Sequence, residues 1–447
     1  MEHTNQPDLE RRLGLFPLTN IVIANMIGAG IFTTSGLLMN DLNNPLLMLA
    51  LWVIGGGIAL CGALAYGQLG AAMPSAGGEY TFLSTLYHPL LGFLSGWISL
   101  LVGFSAPIAA SAIGFSEYFN RAFPELFSWG DVTLLKKILS ILVIVFFSII
   151  HMRGIEFGSK IQNVLTLLKV GLITLIILAG LSLGTGTSDH FFQGGDFTLN
   201  FGGWKTLGLS LMWIMFAYSG WNASTYIGSE IKDPSRVLPR SLLLGTGIVM
   251  LLYVCLNIVF IYAVSPEDMK GVISIGGLAI GKLFGQSMET LVSMLISFAL
   301  FSSLSAFIIL GPRVYFSMAR DKLFFKSISR VHPKFGAPTY SIALQGGISL
   351  LMVLSGTFDQ ILTVMGFSLG IFPLFAVAGV FKIRSSGKAN HAFPRYSWAP
   401  IIYLVTGVSI LLLSFFERTI ESSIAILGVL AGIPVYYYFI LHRKDRM

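Results

Sequence analysis

The feature that most constrains this chain is its division into apolar stretches of about 20 residues, the length that crosses a hydrocarbon core as a helix. Charged residues make up 11% of the 447, against about 25% in an ordinary soluble domain. Apolar residues make up 54%, and mean hydropathy is +0.78. Too few charges remain to cover a water-facing surface, so lipid is the solvent in which this sequence makes sense. Twelve spans are expected, at 16–39, 45–72, 80–118, 134–151, 159–182, 203–230, 240–264, 287–317, 341–356, 359–383, 397–415 and 422–442. The third is long enough to include a short interfacial helix near Glu79 to His88, and the ninth breaks from the tenth at Ser355-Gly356-Thr357. Barrel strands are about ten residues of alternating polarity, a pattern that does not occur here.

The net charge of +7 does not point to nucleic acid, because Lys and Arg sit in short loops between spans rather than on one folded face. With the N-terminus in the cytoplasm, 20 of the 28 basic residues fall inside and 7 outside, with Lys169 left within a span. This asymmetry places both termini on the cytoplasmic side. The most basic loop, Arg313 to Lys334, reads as an anchor to anionic lipid heads. Cys61 and Cys255 both fall inside spans, which argues against a disulfide framework, and no metal-ligand cluster is visible. No metal and no cofactor is expected. The polar start, Met1 to Arg12, leads into a segment that continues past Phe32 without a small-residue cleavage site, so no cleavable signal peptide is expected.

Two spans carry glycine-containing interruptions that a plain anchor does not need. The first holds Asn25-Met26-Ile27-Gly28-Ala29-Gly30-Ile31-Phe32, and the sixth holds Phe216-Ala217-Tyr218-Ser219-Gly220-Trp221-Asn222. One such site alone would be read as small-residue helix packing. Two of them, at corresponding places in two five-helix halves, point to a transporter site near the bilayer midplane. Unwound backbone at that depth is tolerated only where it lines a cavity. N–H groups at a half-helix start bind an anion such as a carboxylate, and carbonyls at a half-helix end bind a cation such as an ammonium. Together the breaks describe a receptor for an α-amino acid zwitterion.

Gly28-Ala29-Gly30-Ile31-Phe32 resembles the first-helix signature of the amino acid–polyamine–organocation superfamily. Phe216 to Asn222 is similar to the Phe-Ala-Tyr-x-Gly-Trp-Asn motif of its L-type amino acid transporter branch and bacterial relatives, and Met318-Ala319-Arg320-Asp321 also resembles the family pattern. The resemblance implies an all-α polytopic membrane protein with a LeuT-type five-plus-five inverted repeat and two peripheral helices. Its parts would be a cytoplasmic N-terminus (1–15), repeats at 16–182 and 203–383, peripheral helices at 397–442 and a cytoplasmic tail (443–447). By that resemblance Ile27, Gly28, Ala29, Gly30 and Ile31 would hold substrate carboxylate through backbone N–H groups. The carbonyls of Phe216, Ala217, Tyr218 and Ser219 would hold the amine, the Phe216 ring would act as gate, and Asn222 would brace the unwound segment or touch substrate. On composition alone, Phe216 and Trp221 would be read as packing residues.

Lys169 sits in the fifth span, where an unpaired lysine costs at least a few kcal/mol. A snorkelling lysine near a helix end is the ordinary reading. It is weakened by Lys160, which already marks the cytoplasmic edge roughly 13 Å away at 1.5 Å per residue. Sodium-independent members of the family have a fifth-helix lysine whose ammonium occupies the place of a sodium ion. The spacing Gln162…Thr166…Lys169 fits that pattern, so the resemblance implies that Lys169 replaces sodium.

Cationic-amino-acid members tend to place a carboxylate in the third helix, where this chain has Val102 in the run Gly96 to Val102. Small neutral L-amino acids are therefore the expected substrates. The loop from Asn120 to Thr133 has no cysteine, so no disulfide-linked heavy chain is expected, and a monomer or weak oligomer is. Glu117 and Glu230 lie towards span ends, and His88 and His151 flank spans; all four read as interfacial. There is no His-Glu-x-x-His and no aspartate mid-span, which disfavours an intramembrane enzyme, and no repeated filter or charged ring, which disfavours a channel. The expectation is a sodium-independent secondary transporter of the inner (plasma) membrane, working as an exchanger, with a proton-coupled symporter as the alternative.

Overall fold

The structure is a computed structural model that describes residues 13–74, 77–152, 155–228, 231–330, 332, 337–385 and 397–441, without the side chains of 155–165, 309, 313, 316, 317, 320 and 329. Among these residues the extended structure is a single parallel bridge, Leu13 to Ile231, and everything regular is helix. The helices in order are α1 (Leu15–Met26), α2 (Ala29–Leu42), α3 (Pro45–Ala72), α4 (Gly78–Leu86), α5 (Pro89–Ile98), α6 (Ser105–Ala122), α7 (Val132–Met152), α8 (Ile155–Leu183) and α9 (Phe201–Ala217). They continue with α10 (Pro234–Ala263), α11 (Pro266–Met269), α12 (Ile275–Phe284), α13 (Gln286–Arg320), α14 (Thr339–Ser355), α15 (Phe358–Ser385), α16 (Trp398–Glu417) and α17 (Thr419–Leu441). Ten stretches are long and apolar enough to cross a membrane. The two remaining expected spans, the sixth and ninth, are the 17-residue helices α9 and α14.

Local chemistry sets several boundaries. Asn44 and Asn200 cap α3 and α9, accepting from the N–H groups of Leu47 and Gly203 at 2.9 Å. The third span starts with the expected lead-in, α4, and continues as α5, a π-helical turn at Ser99–Gly103, and α6. Val102 is buried within that turn. A sequence pattern of period 3.6 cannot reveal one extra residue per turn, so the π-helical turn has no signal. The short helices α11 and α12, between the seventh and eighth spans, are likewise absent from the sequence expectation.

Both faces of the bundle are tied across the first span. On the face that holds Leu13, the Lys232 N–H donates to the Leu13 carbonyl (2.9 Å), and the Gly77 N–H donates to the Tyr226 carbonyl (3.2 Å). On the opposite face the Gly271 N–H donates to the Gly36 carbonyl (2.8 Å). The Tyr118 hydroxyl donates to the Phe32 carbonyl (2.5 Å) and accepts from the Gly276 N–H (3.0 Å). A cleft of about 530 Å³ opens beside these contacts, lined by two ion pairs, Arg121–Glu289 and Lys136–Glu117.

One interfacial reading needs correction. His151 is buried on α7, stacked on Phe147, with Nε2 2.9 Å from Ser305 Oγ of α13, because its face of α7 turns into the bundle. Glu117 is partly buried and paired with Lys136 at 2.8 Å. The side chains of Lys160, Gln162, Arg313 and Arg320, and all of Arg11, Arg12, Arg153, Glu230 and Lys334, lie outside the described residues.

Candidate functional site

The first span breaks over only two residues. The Ile27 N–H still donates to the Ile23 carbonyl (3.0 Å) as the last bond of α1. Ile27 and Gly28 are then extended, with ψ 96° and −155°, and α2 begins at Ala29. Ala29, Gly30 and Ile31 are therefore helical, and their N–H groups are the orphan donors of a helix start. Such a start favours an anion.

Lys169 meets this break from α8. Its Nζ donates to the Ile27 carbonyl, to the Ala24 carbonyl at 3.3 Å and to Ser303 Oγ of α13 at 3.2 Å. Ser303 Oγ in turn donates to the Ile27 carbonyl at 3.2 Å. At 1% exposure the ammonium is out of reach of solvent, so these oxygens replace its hydration shell. Its partners among the described residues are all neutral oxygens, the donor set that suits a small monovalent cation.

In the sixth span, α9 ends at Ala217, and a 3₁₀ turn (Ala223–Tyr226) takes the place of a second α-helical half. The Phe216 carbonyl accepts from the Ser219 N–H (2.8 Å), and the Tyr253 hydroxyl of α10 spans the two breaks. Its oxygen lies 2.6 Å from the Met26 carbonyl and 3.1 Å from the Ala217 carbonyl. Carbonyls have two lone pairs, so each keeps capacity for a further donor.

Glycine is required at two places here. A Cβ on Gly30 would sit 2.5 Å from Ala217 Cα, so the two breaks touch backbone to backbone. Gly220 has φ +99°, and its Cβ would lie 2.8 Å from the Asn25 carbonyl carbon. Gly28 is different: its φ is −133° and a Cβ there finds nothing nearer than Ser303 Oγ at 3.7 Å.

The structure thus brings Ile27 to Ile31, Phe216, Ala217 and Lys169 together. Phe216 is buried, as a packing or a gating ring would be. Tyr218 turns away, donating to the Trp52 carbonyl of α3 at 3.0 Å. Trp221 is buried between Tyr66 and Tyr403, with ring centroids at 4.7 and 5.8 Å. Asn222 also faces away from the first span, its Nδ2 donating to Glu79 Oε1 at 2.8 Å. Sequence reasoning misses Tyr253, Ser303 and Glu79. Nothing local distinguishes Tyr253 or Ser303 from other polar residues of helices, and Glu79 reads only as part of an interfacial lead-in.

Residues 13–437 match the family described as "Amino acid permease". The serine/threonine exchanger SteT of Bacillus subtilis is 30% identical over 97% of this chain and 98% of its own length. The human large neutral amino acids transporter small subunit 2 is 25% identical over 96% and 80%, and the human cystine/glutamate transporter is 24% identical over 98% and 86%.

Proposed function

Since the chain belongs to the amino acid permease family, and so to the amino acid–polyamine–organocation superfamily, we propose that it exchanges neutral L-amino acids across the plasma membrane by alternating access and without sodium. It is a multi-pass membrane transporter rather than an enzyme. Substrate carboxylate binds the N–H groups at the start of α2, with Ile27 and Gly28 shaping the turn. The amine binds carbonyls at the end of α9 between Phe216 and Ser219, and the Phe216 ring closes over it. Asn222 braces the segment after α9 from outside the cavity.

The observation that carries this reading is Lys169, whose buried ammonium lies on the Ile27 and Ala24 carbonyls and Ser303. A tethered cation at the first-span break makes recruitment of sodium unnecessary. Neutral specificity rests on Val102 in the third span, since a cationic side chain in the cavity would lack a counter-ion. The names of the serine/threonine and large neutral relatives agree with it, whereas cystine/glutamate names an acidic substrate. Both chain ends lie in the cytoplasm on the balance of loop charge, and no disulfide-linked partner is needed.

Exchange is tested in proteoliposomes. Labelled neutral amino acid should enter vesicles preloaded with a neutral amino acid and fail to enter empty ones. Equal entry into empty vesicles, rising with an inward proton gradient, would establish the symporter instead.

A further inference from the structure

One buried acid plays no part in the mechanism above. Glu79 stands in the first turn of α4, between the second span and the membrane-crossing part of the third, and is 8% exposed. Its Oε1 accepts from the Tyr66 hydroxyl of α3 and from Asn222 Nδ2, each at 2.8 Å. Among the described residues no cation is paired with it. The same helix start holds the same segment through backbone, by the Gly77 N–H on the Tyr226 carbonyl. Two independent contacts thus fasten α4 to the non-helical end of the sixth span, on the face where Leu13 bridges Ile231.

We propose that Glu79 is a positioning residue of the transport cycle, whose carboxyl group holds Asn222, and with it the end of the sixth span, while this face is closed. The inference rests on the alternating-access reading above. The face opens only if the sixth-span end moves off α4, which breaks the Asn222 bond and admits water to Glu79. The carboxyl group therefore changes solvent within each cycle, and the hold becomes sensitive to pH on this face alone.

The sign follows from burial. Desolvation pushes the Glu79 carboxyl up from 4.5 to about 7, with the Tyr66 and Asn222 bonds pulling it down by less. Once hydrated it returns towards its ordinary value of 4.5. The closed form therefore binds the proton more tightly, and acid favours closure. For these two values the closed-to-open ratio rises about tenfold between pH 8 and pH 6. The groups facing Glu79 are Tyr66 of α3, Tyr226 of the 3₁₀ turn and Tyr403 of α16. From α15, Lys382 and Arg384 turn to the Leu86 carbonyl and to Gln68, and α5 carries no charged side chain.

The test is amino acid exchange in sided vesicles at fixed pH on the opposite face, with pH on the Glu79 face stepped from 8 to 6. Wild type should slow by up to about tenfold, and acidifying the opposite face should not reproduce the loss. Glu79→Gln should be flat over this range and match wild type at its acid limit. Tyr66→Phe, which removes one donor to the carboxylate, should move the acid limb to higher pH. A flat wild-type profile overturns the proposal even if neither variant folds, and so does an unchanged slope in Glu79→Gln. Absence of wild-type exchange at every pH would instead overturn the transport reading on which it rests.

Discussion

The Tyr253 hydroxyl lies 2.6 Å from the Met26 carbonyl and reaches the Ala217 carbonyl as well, so one side chain of α10 tethers both helix breaks. The breaks are 190 residues apart in sequence, from 27 to 217. Their relative position follows from this hydroxyl and from the Gly30–Ala217 contact. A substrate whose two charged ends are held by different breaks needs that position kept to within a fraction of an ångström.

Tyr253→Phe should therefore insert normally and transport poorly. The Met26 and Ala217 carbonyls lose the single O–H proton they share, at about 1–3 kcal/mol for an unsatisfied group. A raised KM with lowered thermal stability in detergent is the expected result, read by exchange kinetics and a melting assay. Wild-type KM would show that the tether is dispensable.

The two first-span glycines should separate cleanly. Gly30→Ala places a methyl group 2.5 Å from backbone and should abolish exchange, while Gly28→Ala meets nothing closer than 3.7 Å and should retain it. Surface expression and uptake of both variants check this. Tolerance of Gly30→Ala would mean that the breaks do not touch in the working transporter.

Legibility tracks locality. The solvent, the spans, the α4 lead-in and the two breaks all leave marks in short windows of sequence, as hydropathy, charge or glycine. The motifs make the breaks look too wide, because Ala29 to Ile31 and Phe216 to Ala217 remain helical and a motif does not show where hydrogen bonding stops. Residues that act across the bundle leave no mark. Tyr253, Ser303 and the Glu79–Asn222 pair, 143 residues apart, become visible only once helices are packed. His151 misleads for the same reason: a histidine near a span end reads as interfacial until the neighbouring helix is seen.

Recognition of both charged ends predicts a simple inhibition pattern. Neutral L-amino acids should compete with a labelled neutral substrate. Their methyl esters, their N-acetyl derivatives, Arg and Lys should not. Competition by a methyl ester would remove the α2 start from the site, and strong inhibition by Arg or Lys would show a counter-ion that Val102 does not supply.

The central claim is that Lys169 does the work of a sodium ion at the first break. Its most direct test is exchange of a labelled neutral amino acid in proteoliposomes, with sodium fully replaced by choline on both sides, for wild type and Lys169→Ala. Unchanged wild-type exchange in choline, together with loss of most activity in Lys169→Ala, is the predicted result, since the Ile27 and Ala24 carbonyls then lose their cation at a depth where unsatisfied groups cost several kcal/mol. Wild-type exchange that collapses in choline, or a Lys169→Ala variant that exchanges normally, would contradict it.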